Sequence, residues 1–221
     1  DRFIQDRFSK NVKRIQSSNT DEENMLNVVL LSEFRRRYAH ELYSTYVKPV
    51  IMFKSQRIDS SNEANQTFNE LIDSLTPQSI QDFLLRQKQA GNERESETLS
   101  MAHEYYRKND SELDQIIREI KREFAPSRII NANDSDRGSG MLEKGQYEAL
   151  NSLESPANLY RVIFAVAKLT EGWDVLNLYD IVRISNYKDT KGDKKTTMAE
   201  AQLIGRGARY NPFVLNSKKQ Y

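Results

Sequence analysis

Residues 160–184 read Tyr160-Arg-Val-Ile-Phe-Ala-Val166, then Ala167-Lys168-Leu-Thr-Glu171-Gly-Trp-Asp174, then Val175-Leu-Asn-Leu178-Tyr-Asp-Ile-Val-Arg-Ile184. The first and last pieces carry short continuous apolar runs, the pattern of strands buried on both faces rather than of alternating, half-solvated ones. Between them lies a polar connection whose Gly172 permits close backbone approach and whose Asp174 brings a carboxylate two residues later. By themselves these residues also describe a tight turn in which Asp174 caps local backbone and Trp173 packs. In parallel sheets, ligands meet the loops at the carboxyl ends of strands, so the connection sits where chemistry is expected.

Working upstream, the same strand pattern recurs at Pro49-Val-Ile-Met-Phe53 and at Arg128-Ile-Ile-Asn131. Helical signals lie between and around them. Thr20 with Glu23 forms a capping box that opens a helix through Leu26, Leu30, Phe34 and Leu42. Ser60 with Glu63 repeats that pattern ahead of Phe68, Ile72 and Leu75. From Thr76-Pro77 to about residue 127 the periodicity is helical, interrupted by a polar break at 91–97, with Ser111 expected to cap a helix carrying Leu113, Ile116, Ile117 and Ile120. A Gly/Ser/Asp loop precedes a short helix at 146–153. Strands alternating with helices predict an α/β fold with a mainly parallel sheet covered on both faces and a helical insertion at 76–127.

Composition narrows the function classes. A chain of 221 residues with 38% hydrophobic content can bury a substantial core and reads as one domain over 1–221. Its 33 basic and 32 acidic residues nearly cancel, so contact with nucleic acid must be local. Cysteine is absent, which excludes disulfides and thiol catalysis and fits a cytoplasmic protein. His40 and His103 stand apart within helical patterns, so they are expected to be solvated or core side chains, and no metal site is assigned. Met101, Tyr105 and Tyr106 read as packing surface. No apolar run is long enough to span a bilayer, and the charged start, without an initiator methionine, suggests a soluble fragment of something larger or a processed chain.

Downstream, Thr197 is placed to cap a last helix containing Gln202-Leu-Ile-Gly205-Arg206-Gly-Ala-Arg209. Arginines three apart project from one helix face. Glycines inside a helix cost roughly 1 kcal/mol each against alanine, so Gly205 and Gly207 imply a close approach or the helix end. An ordinary arginine-bearing surface helix explains the arginines but not the glycines.

Gln-x-x-Gly-Arg-x-x-Arg resembles motif VI of superfamily 2 helicases, and Glu171-Gly-Trp-Asp174 resembles their motif V. The wording over 160–213 is similar to the restriction (Res) subunit of type III restriction-modification enzymes, and 49–56 resembles motif IV. The resemblance implies a second RecA-like motor lobe, a three-layer α/β domain. Arg206 and Arg209 would reach ATP held by a first RecA-like lobe, with Arg209 the arginine finger and Gln202 orienting the interface. Glu171, Gly172, Asp174 and Gly205 would form the nucleotide side. Lys54, Ser55 and Arg57, at the end of the first strand, would meet a double-stranded DNA backbone, though a solvated loop explains them as well. Where the family commonly has Ser or Thr, this chain has Ala167, so that phosphate contact is either missing or passes to Lys168.

No Gly-x-x-x-x-Gly-Lys-Ser/Thr phosphate loop occurs, so the triphosphate cradle and its Mg2+ belong to the first lobe, and ATP hydrolysis by this chain alone is not expected. Asp21-Glu-Glu-Asn24 lies at a helix start and reads as dipole complementarity rather than an acidic box. The resemblance further implies a methyltransferase (modification) partner and a site-specific deoxyribonuclease as the parent activity, with cleavage not expected from these residues. Two other readings stay open: a free-standing α/β interaction module, and a motor lobe of an RNA or repair helicase. An upstream phosphate loop in the same reading frame would separate the module from the motor.

Overall fold

The computed structural model describes residues 12–13, 15, 19–132, 144–166, 176–184, 213–215 and 218–220. Helix α1 spans Asp21–Tyr43 and starts as expected: Thr20 Oγ1 accepts from the Glu23 amide at 3.2 Å while Glu23 Oε2 accepts from the Thr20 amide at 3.1 Å. It ends where Ser44 turns left-handed, its amide donating to His40 O at 2.9 Å. Strand β1, Val50–Ser55, is buried along its whole length. Helix α2, Ile58–Ser74, follows after only two residues. That short turn moves the helix start ahead of the expected cap: Arg57 occupies the cap position with no side-chain hydrogen bond, and Ser60 falls inside the first turn.

The stretch read as a helical insertion contains α3, Pro77–Ala90, α4, Glu97–Lys108, and α5, Leu113–Glu123. Thr76 caps α3 through a reciprocal exchange with Ser79, and Gly91 closes it at φ 73°, a conformation that favours a residue without Cβ. A 3₁₀ turn at Asp110–Glu112 leads into α5, so Ser111 lies in that turn and caps nothing. Strand β2 is Ile129–Ala132, α6 is Lys144–Asn151, β3 is Val162–Val166 and β4 is Leu178–Arg183. A separate antiparallel pair, β5 (Phe213–Leu215) and β6 (Lys218–Gln220), carries no sequence signal recognised above.

The sheet has order β2-β3-β1-β4 and every pairing in it is parallel. Period-two alternation divides its side chains cleanly. Ile51, Phe53, Ile129, Val162 and Phe164 join one core with α1 through α5, built around Phe34, Phe68, Phe83, Tyr106 and Phe124. Val50, Met52, Ile130, Ala132, Ile163 and Ala165 face the other way and pack with Leu150 and Leu153 at α6. The chain is thus an α/β fold with helices on both faces of a parallel sheet, and α3 to α5 share the larger core rather than forming one of their own.

Buried charge ties this core together. Arg161, only 1% exposed, donates to Pro49 O at 3.1 Å and to Ser32 Oγ at 3.0 Å, pairs with Glu123 and lies 4.9 Å over the Phe124 ring. Three successive arginines of α1 diverge: Arg35 pairs with Asp180 of β4, while Arg36 and Arg37 both grip the fully buried Glu33 and reach Glu119 of α5. Such pairs are costly to desolvate and are retained only when satisfied, so they fix how α1 sits on sheet and helices. His103 is a core side chain, with Nδ1 3.0 Å from Glu93 Oε1 and Nε2 2.8 Å from the Asn27 side-chain amide. His40 sits on the exposed end of α1, its ring 5.0 Å from that of Tyr46. Tyr106 is fully buried and donates to Leu30 O at 2.6 Å, whereas Met101 is exposed.

Candidate functional site

Parallel pairing brings the carboxyl ends of all four strands to one edge. Lys54 stands opposite Ala165 of β3 and Arg183 of β4, and Ser55 opposite Val166. The connections leaving β1, β3 and β4 therefore depart side by side, and Lys168 is two residues beyond Val166.

Within that turn the three predicted backbone-contacting residues differ. Lys54 and Ser55 are buried, at 4% and 1% exposure, whereas Arg57 is exposed. The alternation explains this: Lys54 continues the face of Val50 and Met52, and Ser55 continues the face of Ile51 and Phe53. Of the three, Arg57 alone presents its side chain to solvent.

A residue the sequence reading missed is Ser61. It lies on the buried side of α2 with Ala64 and Phe68, and its hydroxyl, like that of Ser55, is buried with no hydrogen-bond partner among the described residues. Buried hydroxyls are seldom left so. Ser61 carries no sequence signal of its own, because its burial follows from the helix starting at Ile58 rather than at Ser60. Nearby, Asn131 near the end of β2 donates to Asn62 Oδ1 of α2 at 2.8 Å. The N-cap of α2, Arg57, makes no side-chain cap hydrogen bond, and the helix dipole favours negative charge at that end. An exposed guanidinium at a helix start with no side-chain cap suits an anion better than a cation.

The remaining site residues, Lys168, Glu171, Gly172, Asp174, Gln202, Gly205, Arg206 and Arg209, lie outside the described residues. Among the described residues, no group of three or more His, Cys, Asp or Glu side chains could hold a metal ion, and no helix is long and apolar enough to cross a membrane.

A family model described as the HI_1054 N-terminal region matches residues 196–221, the stretch that contains Gln202 to Arg209. Over 201 residues the chain is 29% identical to a Haemophilus influenzae protein described as "Probable type III restriction-modification enzyme HindVIP Res subunit". The alignment covers 87% of this chain and 39% of that protein, so the chain spans well under half the length of its relative. The likeness to Res subunits read from residues 160–213 thus extends over most of the chain. No solved structure matches.

Proposed function

We propose that this chain is the second RecA-like motor lobe of an ATP-dependent DNA translocase, the restriction subunit of a type III restriction-modification enzyme. The observation that carries the reading is the similarity to a Res subunit over 87% of the chain, joined to a parallel sheet whose β1, β3 and β4 ends share one edge. ATP is held by a first lobe, which also supplies Mg2+. This lobe closes on the nucleotide with Arg209 as finger, Arg206 beside it, and Gln202 and Gly205 shaping the interface. A guanidinium there stabilises the charge that develops on the transferred phosphoryl group. Glu171, Gly172 and Asp174 link the nucleotide to the DNA track. Closure with ATP and reopening after hydrolysis moves the lobe along duplex DNA.

On the DNA side, Arg57 and the amino end of α2 take a backbone phosphate, with Ser55 and Lys168 as further contacts. Lys54, buried, shapes the turn from the sheet side. The modification methyltransferase is the partner that would supply sequence recognition. Residues 76–127 form the helical insertion of the lobe. The reading is tested by incubating purified residues 1–221 with ATP and duplex DNA. No turnover is expected, because the phosphate cradle is absent from the sequence. Robust turnover would overturn it.

A further inference from the structure

Lys54, Ser55 and Arg57 follow one another along the chain, and the sheet brings a further cation beside them from β4. Lys54 and Arg183 are partners in the parallel pairing of β1 with β4. The Ile184 amide donates to Lys54 O at 3.0 Å, so the two strands stay paired through this position. Neighbouring strands lie about 4.8 Å apart, which sets the two cationic residues side by side at the carboxyl edge.

Alternation also puts them on one face. Val182 packs with the core under α1 to α5 and Ile181 with the core at α6, so Arg183 continues the Ile181 face, the face to which Lys54 belongs with Val50 and Met52. Lys54 is buried, whereas Arg183 is the exposed residue of β4. Arg57 stands three positions beyond Lys54, also exposed. Among the carboxylates of β4 and of the first turn of α2, Asp180 belongs to the opposite face, where it pairs with Arg35, and Asp59 lies in that first turn. Among the described residues β4 ends the sheet order, and an edge strand often carries a cation that deters pairing with another chain. Setting that cation directly opposite a second one adds a repulsion such a role does not need. A positive rim at strand ends does suit an anion that spans both strands.

We infer that Arg183 is a further contact for the phosphate backbone of duplex DNA, extending the binding surface from the β1–α2 turn onto β4, with the Lys54 charge beside it. The inference rests on the reading of this chain as a DNA motor lobe. A guanidinium takes phosphate oxygens as a planar fork, and a phosphate contact reads no base edge, so its contribution is independent of sequence. Each phosphate neutralised on B-form DNA contributes about 0.9 to the slope of log K against log salt.

The test measures duplex DNA binding by the intact protein across a salt series, with Arg183→Ala, Arg183→Lys and Arg122→Ala compared. Arg183→Ala should weaken binding about equally on all sequences and shrink the salt slope by about one, while the urea midpoint stays at its wild-type value. Arg183→Lys, which keeps the charge, should keep the slope. Arg122→Ala removes an equal charge from an exposed position on α5 and should leave the slope unchanged. A wild-type slope in Arg183→Ala, with ATP hydrolysis of the wild type still stimulated by duplex DNA, overturns the contact and leaves the motor reading standing. An equal loss of slope in Arg122→Ala, or a loss in Arg183→Ala that only follows a lowered urea midpoint, also overturns it. Wild-type ATP hydrolysis that duplex DNA does not stimulate defeats the motor reading, and this inference with it.

Discussion

Nη1 of Arg161 lies 2.7 Å from Oε2 of Glu123, joining the residue that leads into β3 to the last turn of α5. Burial pulls the Arg161 guanidinium below its ordinary value, and the Glu123 charge offsets only part of that shift. Removing Arg161 leaves Glu123 only its contacts with Arg128 at 3.3 Å and Arg122 at 3.6 Å and takes the buried guanidinium donor from Ser32 Oγ and Pro49 O. Arg161→Ala is expected to cost about 3–5 kcal/mol in urea unfolding, the size typical of a broken buried pair. An exposed-pair change such as Arg86→Ala, which loses only the 3.4 Å contact with Glu23, should cost about 0–1 kcal/mol. Equal costs would show that Arg161 is not held as described.

Acid should loosen the junction of α1 and α4. Burial pushes His103 below its ordinary value, and the Glu93 hydrogen bond only partly restores it. Burial alone would raise Glu93, but hydrogen bonds from Arg107 and His103 outweigh it and leave that carboxyl below its usual range. A histidine depressed in the folded state binds fewer protons there than when unfolded. Its stabilising contribution is therefore complete above the unfolded value of about 6.5 and is lost as pH falls through the folded one. Glu93 adds a loss of the same sign at lower pH. Unfolding free energy measured from pH 7.5 to pH 5 should fall for the wild type and fall less for His103→Gln.

Arg57 is the exposed cation of the β1–α2 turn, and its contribution to DNA binding should be electrostatic. Arg57→Ala in the intact protein should weaken duplex binding about equally on all sequences. The slope of log K against log salt should shrink by about one. Lys54→Ala, altering a buried side chain, should instead appear mainly as lost stability. An unchanged salt slope in Arg57→Ala would remove that turn from the DNA interface.

The strands were legible because a parallel sheet covered on both faces leaves no polar alternation, so Val50 to Phe53, Ile129 to Ile130 and Val162 to Val166 read as plain apolar runs. Thr20 was legible as a cap because hydroxyl and partner stand three residues apart ahead of an apolar face, and the start of α3 because Thr76-Pro77 places a proline in its first turn. Ser60 and Ser111 carry the same hydroxyl, but the two-residue β1–α2 turn and the 3₁₀ turn before Leu113 start their helices elsewhere, and local pattern cannot register such tertiary constraints. Nor could it show that Arg161 is buried, since its partners Pro49, Ser32 and Glu123 are all distant in sequence. At the site, the Lys54-to-Arg57 turn was found by its place after a strand, while the burial of Lys54 and Ser55 depends on which face each joins. The segments around Asp174 and Arg209 were read from their wording, and both lie outside the described residues.

The most direct measurement is the duplex-DNA-stimulated ATP hydrolysis of the intact protein carrying Arg209→Ala. With the finger removed, turnover should fall by about 10³-fold or more while duplex DNA is still bound. Turnover undiminished in that variant would contradict the assignment of this chain as the lobe that completes the ATP site.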